Sequence, residues 1–396
     1  MARDGNTKGM KETKFKDTEL GKIPEEWEVC NLGSIGVPLM CKRIMKWQTN
    51  ETAGIPFYKI GTFGKQADAF IAPDIWRYMI THFNYPRKGD ILISAAGTIG
   101  RTVVFDGQPS YFQDSNIVWI DNDEEKVLNP YLEYAYTKIA WSTDASTISR
   151  LYNNNLKSAL ILFPHDKAEQ QRIASALSDA DALVAELDAL IEKKRAIMAG
   201  TMQELLTGKR RLQGFSESWV ERTLEEICLR HDNLRIPVKA SDRKAGYTPY
   251  YGANGIQDYV EGYTHDGESI LIAEDGANDL DNYPVNFAVG KIWVNNHAHV
   301  VKAKEEFIYS YFLYLALKQC NFNDVIVGSS RAKLNASSLM QINVKYPSSL
   351  AEQRAIASIL SDMDAEIAEL EAKRDKYKEV RQGMMQQLLT GKIRLI

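Results

Sequence analysis

The run Asn295-Asn296-His297-Ala298-His299 is where metal or acid–base chemistry would first be sought, because its two histidines fall at the two-residue spacing of one strand face. A zinc site needs further ligands, and none stands nearby in the chain; polar contacts, to the protein or to a ligand, are the simpler expectation. Other catalytic patterns fail as well. Thr207-Gly208-Lys209 lacks the upstream glycine of a phosphate-binding loop, and no Gly-x-Gly-x-x-Gly follows a strand-like run. No Asn or Asp precedes a Pro-Pro-Tyr, the signature of adenine methyl transfer. Glu192-Lys193-Lys194 has the composition of a nuclease fragment but falls on a helical pattern, where it reads as a solvated face. Among the loops of the first globular segment, Lys42-Arg43 and Lys46-Trp47 form the densest basic-aromatic cluster.

The elements that must position those loops occur twice. Residues 164–212 and 347–395 align without a gap, with about half the positions identical, so one structural unit is used twice. Ile173, Leu177, Ala180, Val184, Leu187, Ile191, Met198 and Leu205 form a heptad seam, repeated by Ile356, Leu360, Met363, Ile367, Leu370, Tyr377, Met384 and Leu388. Asp166-Lys167-Ala168-Glu169 and Ser349-Leu350-Ala351-Glu352 predict capping boxes. Thr207-Gly208-Lys209 and Thr390-Gly391-Lys392 supply glycine stops followed by basic residues. Each copy thus predicts a helix of about 40 residues, roughly 60 Å long. A whole domain lies between the copies, so the two helices are expected to pack on each other antiparallel.

A chain of 396 residues with 44% hydrophobic content can bury two or three domain cores. Cys30, Cys41, Cys228 and Cys320 show no paired spacing, which predicts neither a disulfide framework nor a zinc site. Residues 1–22 read as a loose polar leader without a signal sequence, and no apolar run is long enough to span a bilayer, so a cytoplasmic location is expected. A domain entrance, Ile23-Pro24-Glu25-Glu26-Trp27, returns as Phe215-Ser216-Glu217-Ser218-Trp219. Between entrance and helix, residues 23–163 and 213–346 show short β-type runs, including Gly89–Ile93 and Gly267–Ile272, then a short helical stretch. The expectation is α+β: two mixed α/β domains, each with a curved sheet and each followed by a long helix (164–212 and 347–396).

The ordered double set of Ala-Glu-Gln helix starts, Leu-Leu-Thr-Gly-Lys helix ends and tryptophan-marked entrances resembles the specificity subunit of type I restriction–modification systems over nearly the full length. Tyr250-Tyr251-Gly252-Ala253-Asn254 and Asn295–His299 add to the resemblance. The resemblance implies that each globular segment is a target recognition domain reading one half of a split, asymmetric DNA site. The helix pair would set the spacer, holding the readers about one DNA turn, roughly 34 Å, apart. It also implies two methyltransferase subunits docked on the scaffold, bringing S-adenosylmethionine, and a restriction and translocation subunit using magnesium and ATP; this chain itself would carry no cofactor, metal or catalytic residue. Single Ala-Glu-Leu occurrences at 185–187 and 368–370 suggest a short spacer.

On that reading the base-contacting candidates in the first domain are Lys42, Arg43, Lys46, Trp47, Arg101, Gln113, Ser115, Asn116, Arg150, Tyr152, Asn153 and Asn154. In the second they are Tyr250, Tyr251, Asn254, Asn296, His297, Ser329, Ser330, Arg331 and Lys333. Asparagines at 153–155 have a plain alternative as turn formers, and the tyrosines as core. Charge pulls the other way. The net charge is −4, with 13 Lys and Arg against 15 Asp and Glu in residues 23–160, and 13 against 17 in 213–346. Cationic neutralisation of phosphates normally dominates DNA affinity, so this chain alone should bind DNA weakly and its partners should supply the backbone grip. A coiled-coil adaptor with protein- or carbohydrate-binding domains, a methylation-only system and a hidden nuclease stay open at this point.

Overall fold

A computed structural model describes residues 13–141, 150–327 and 333–396. The chain divides into two compact units, residues 1–186 with 374–396, and residues 187–373. The division cuts each long helix, so each unit holds one globular domain, the start of the helix that follows it, and the end of the other helix.

In the first unit the strands and helices run β1 (Phe15–Thr18), β2 (Gly21–Pro24), β3 (Trp27–Asn31), β4 (Gly36–Leu39), β5 (Thr49–Asn50), β6 (Ile55–Tyr58), β7 (Phe70–Ile71), α1 (Pro73–His82), β8 (Ile91–Ser94), β9 (Thr102–Val104), β10 (Tyr111–Phe112), β11 (Ile117–Asn122), α2 (Asn129–Tyr136), α3 (Asn153–Ser158) and β12 (Leu160–Pro164), then α4 (Lys167–Leu205). The second unit continues with β13 (Trp219–Thr223), α5 (Leu224–Ile227), β14 (Cys228–Arg230), β15 (Ala245–Gly252), β16 (Gly255–Val260), β17 (Ser269–Ala273), β18 (Val285–Ala288), β19 (Trp293–Val294), β20 (Ala298–Ala303), α6 (Ser310–Lys318), β21 (Ile326–Val327), β22 (Lys333–Leu334), α7 (Ala336–Met340), β23 (Asn343–Pro347) and α8 (Leu350–Leu388).

The two domains share a plan. An antiparallel sheet of order β4-β11-β8-β9 corresponds to β14-β20-β17-β18. A second sheet carries a parallel pair, β6 with β10 in the first domain and β15 with β19 in the second. Where one curved sheet was expected in each domain there are two of three or four strands, beside two-stranded pairs, and in the first domain the two larger sheets sandwich Phe57, Leu92, Tyr111, Phe112 and Trp119. The central strands β8 and β17 are buried throughout, which is why they read as continuous apolar runs. The described part of the polar leader is ordered: residues 15–24 form the β1–β2 hairpin, with Ile23 buried.

Both long helices are unbroken over 39 residues. Within the first unit, Ile173, Ala174 and Leu177 share a core with Leu388, Leu389 and Met384, and Arg381 pairs with Asp181. Within the second, Leu205 and Met202 meet Ile356, Ala357 and Leu360, and Lys194 pairs with Glu366 at 2.6 Å. Residue numbers rise along one helix as they fall along the other, so the pairing is antiparallel in each unit.

The expected capping boxes are replaced by something longer in reach. Glu169 and Glu352 are fully buried, and instead of bonding the helix start each takes an arginine from beyond the end of the other long helix. Arg211 grips Glu352 through Nε and Nη2, both at 2.7 Å. Arg394 grips Glu169 in the same two-point way, with Nη2 at 2.7 Å, and also reaches Glu26 at 2.9 Å. The guanidiniums lie over the entrance tryptophans, Arg394 over Trp27 and Arg211 over Trp219, both 5.9 Å from the ring. The capping oxygen survives in one copy: Asp166 Oδ1 accepts from Ala168 N at 2.9 Å.

The neighbouring glutamines fix each helix start to its own domain. Buried Gln170 accepts from Leu128 N and donates to Lys126 O and Pro164 O, each at 2.8 Å. Gln353 repeats this with Tyr309 N, Phe307 O and Pro347 O. The glycines that end the helices, Gly208 and Gly391, have φ of 72° and 68° and abut Trp219 and Trp27.

Candidate nucleic-acid interface

In each domain three segments converge where the two sheets meet. The first is the turn after the central strand, with Gly97 or Gly276 at positive φ. The second is the polar loop joining the parallel strand to the next sheet strand, Gln113–Asn116 or Asn295–His297. The third is a backbone bridge carrying a basic residue, Ala96 with Arg150 and Asp275 with Lys333. Shared main-chain bonds set the register: Gln113 N donates to Tyr58 O as Asn295 N does to Tyr251 O, and Ala95 N donates to Asn116 O as Glu274 N does to His297 O.

In the first domain these segments line a cleft of about 590 Å³ that brings together Arg43, Lys46, Gln113, Ser115, Asn116 and Arg150 from the expected set. Thr49, Asn50, Lys59 and Asp68 line it too and were not anticipated; they belong to short strands and turns whose sequence carries little periodic signal. Arg43 pairs with Asp114 at 2.9 Å, and Lys59 with Asp68 at 2.9 Å, so much of the cationic charge is offset locally. Gln113 Oε1 accepts from Ile60 N at 2.9 Å. Trp47 is 81% exposed on a single 3₁₀ turn closed by Gln48, whose N and Oε1 both bond Met45. Lys42 lies over the Phe83 ring, 5.5 Å from its centre, and its carbonyl accepts from Tyr111 Oη at 3.1 Å.

Arg101 lies outside the cleft lining: its guanidinium covers Phe63 and Nη2 reaches Ile60 O at 3.4 Å, while Nε is buried without a partner. Tyr152, Asn153 and Asn154 are exposed at the start of α3, whose Leu156 packs into the core beside α4, and none of the three lines the cleft. Asn155 Oδ1 accepts from Tyr152 N at 3.3 Å, in keeping with the turn-forming alternative.

The second domain is more heavily cross-braced. Asp232 holds His299 Nδ1 at 2.8 Å and Val300 N at 2.8 Å; Glu274 holds Arg235 at 2.7 Å and Lys333 at 3.0 Å. Burial alone would raise the Asp232 carboxyl, but His299, Val300 N–H and Arg235 draw it below the usual range. Glu274 is likewise buried enough to rise, yet Arg235 and Lys333 bring it down. The two histidines do not share a face toward one ligand. β20 begins at Ala298, so strand alternation does not extend to His297, which is half-exposed and bonded to Asp275, while His299 is buried and its Nε2 bonds Leu334 O.

Asn254 Nδ2 donates to Gly276 O, and its Oδ1 accepts from Asn278 N, tying the Gly276 turn to the β15–β16 hairpin. Asn296 is exposed at the loop tip. Tyr250 is 1% exposed beneath the Arg243 guanidinium, with its hydroxyl bonded to the Val238 backbone, and Tyr251 is also buried, so both stand in the wall of the domain, in keeping with the core alternative. Ser329, Ser330 and Arg331 lie outside the described residues. Asn295 was overlooked among the candidates, although it holds the register of Gln113 and its Oδ1 accepts from His297 N.

Comparison with known proteins agrees with this plan. The family model for the type I restriction modification DNA specificity domain matches twice, at residues 24–194 and 216–379. A protein of Haemophilus influenzae described as a type I restriction enzyme specificity subunit is 52% identical over 174 residues, 44% of this chain and 45% of that protein. The chain thus matches under half the length of that relative, but it aligns with 98% of the MjaX specificity subunit of Methanocaldococcus jannaschii, at 24% identity over 97% of its own length. The crystal structure of the type I S subunit from M. genitalium superposes with a TM-score of 0.65, covering 91% of this chain and 96% of that one at 20% identity, which speaks for the fold. With both domains matched by the same model, the chain belongs to the type I restriction–modification DNA specificity family.

Proposed function

We propose that this chain is the sequence-reading scaffold of a type I restriction–modification complex, each globular domain reading one half of a bipartite, asymmetric DNA site. The observation that carries the reading is the pair of polar loops held in the same main-chain register but bearing different side chains: Gln113, Ser115 and Asn116 beside Arg150 in one, Asn295, Asn296 and His297 beside Lys333 in the other. Similar scaffolds with unlike linings give two unlike half-sites.

The antiparallel helix pair sets the gap between half-sites, and its duplicated surfaces dock two methyltransferase subunits. The chemistry served is adenine N6 methylation with S-adenosylmethionine held by those partners, and cleavage when a restriction subunit joins with magnesium and ATP. The acidic balance of the chain and the local pairing of Arg43, Lys59, Arg235 and Lys333 with carboxylates support a division of labour. This chain reads base edges, and the partners supply most of the phosphate contacts.

The test is single-molecule sequencing of DNA from cells expressing this chain with its methyltransferase. The expected product is methyladenine in a split motif of two unlike halves around a fixed gap. A methyltransferase that is active with another specificity subunit yet leaves no such motif here would remove the proposal.

A further inference from the structure

Arg150 was expected to touch DNA, yet its guanidinium is turned toward its own domain. Nη2 donates to Ser115 O at 3.1 Å and to Asn116 Oδ1 at 3.3 Å. Ser115 adopts φ 54°, in the left-handed region where a β-carbon is penalised. Arg150 is itself anchored: its backbone bridges Ala96, and Leu151 N donates to Ala95 O at 2.9 Å while Ala95 N donates to Asn116 O at 2.8 Å. The polar loop, the central strand and Arg150 therefore form one closed frame along the edge of the cleft.

The second domain carries the same frame with a different filling. Lys333 occupies the register of Arg150 and its Nζ is held by Glu274 at 3.0 Å. The loop there is one residue shorter and contains no left-handed residue. In both domains, then, the basic residue at this register serves the loop or the strand beside it.

We propose that Arg150 is a positioning residue of the first reader, holding Ser115 in its left-handed turn so that Asn116 presents its amide to the cleft. Arginine only donates, so the Asn116 atom facing it is Oδ1. Nδ2 is then the free end, a donor suited to an acceptor edge such as guanine N7 and O6 or thymine O4. With Oδ1 already engaged, the two-point pairing of asparagine with adenine is disfavoured at this position. The inference rests on the first domain being a half-site reader.

The experiment uses the full chain with its methyltransferase and scores methylation at all variants of each half-site. Arg150→Ala relaxes base preference roughly tenfold at one position of one half-site and leaves the other half unchanged. Asn116→Ala relaxes the same position. Adding Ser115→Gly to Arg150→Ala restores preference, because glycine takes the left-handed turn without the penalty. Arg150→Lys does not restore it, since both bonds come from Nη2 at the tip of the guanidinium, one bond beyond the reach of a lysine Nζ. Two results would overturn the assignment: uniform loss of methylation with the motif intact and a weaker salt dependence, which marks a phosphate contact, or relaxation that Ser115→Gly fails to repair, which marks direct base contact. If the unsubstituted complex yields no bipartite motif, the reading beneath the proposal fails instead.

Discussion

Arg394→Ala tests the crossed latch between helix ends. Glu169 is fully buried and Arg394 only 8% exposed, joined at two points. Removing the arginine strands a buried carboxylate, which costs about 3–5 kcal/mol. The lower end applies, because loss of Arg394 also loosens residues 392–396 and lets water reach Glu169. In a unit of roughly 200 residues, about 3 kcal/mol lowers the melting temperature by about 10 °C. Because the chain has two compact units, a single unfolding transition is a poor readout. Hydrogen exchange followed by mass spectrometry is the assay. Peptides covering 160–180 and 384–396 should lose protection, while those covering 200–230 and 345–360 keep theirs. Arg211→Ala should do the converse and more mildly, since Arg211 is 30% exposed beside Glu352. A change below about 1 kcal/mol, the scale of a surface pair, or equal loosening of both units, would refute the reasoning.

Gly391→Ala should destabilise the first unit by about 2 kcal/mol or more, because its φ is left-handed and a β-carbon would sit 2.5 Å from Pro24; Gly208→Ala, whose nearest contact is Trp219 at 3.0 Å, should cost less, as hydrogen exchange of the peptides flanking each glycine would report. Gln353→Ala strips partners from Tyr309 N, Phe307 O and Pro347 O and should cost about 3 kcal/mol, checked by exchange of the Tyr309 amide. His265 is buried with Nε2 on His231 O, and burial, aided by Lys302, holds its ionisation below the usual value. A base with a lowered folded value contributes stability that is complete above its unfolded pKa of about 6.5 and is lost as pH falls through the folded one. The second unit should therefore weaken below about pH 6.5, and His265→Gln should flatten that slope in pH-dependent melts.

The long helices were legible because their signals are local. Every residue of the heptad seam is buried or half-buried, from Ile173 to Leu205 and from Ile356 to Leu388. The run Gly267–Ile272 falls on the strand Ser269–Ala273 for the same reason, as an apolar stretch after a polar turn. Glu169 and Glu352 misled because a capping box and a buried ion pair look alike in sequence: the deciding partner of Glu169 lies 225 residues away. The β1–β2 hairpin was hidden because its outer strand is mostly exposed and polar. Within the candidate site, six of the residues chosen by type in the first domain meet in one cleft. Orientation was not readable. Nothing local to Arg150 tells that its guanidinium turns inward, and only the sheet register shows Tyr250 to be wall and Asn295 to be the counterpart of Gln113.

Closing one unit with the end of the other helix also orders events on the ribosome. Residues 187–373 form a continuous stretch, so that unit has all its parts once Lys373 has emerged. The first unit is begun earlier but completed later, since Leu388, Leu389 and Arg394 are translated after everything else it contains. Until then Glu169 has no counter-ion and the core that holds Ile173 and Leu177 lacks Leu388 and Leu389. Domains usually mature from the N-terminus during synthesis; here the order of completion is reversed, and the segment beginning at Arg374 acts as the release step for a domain made nearly 200 residues before it.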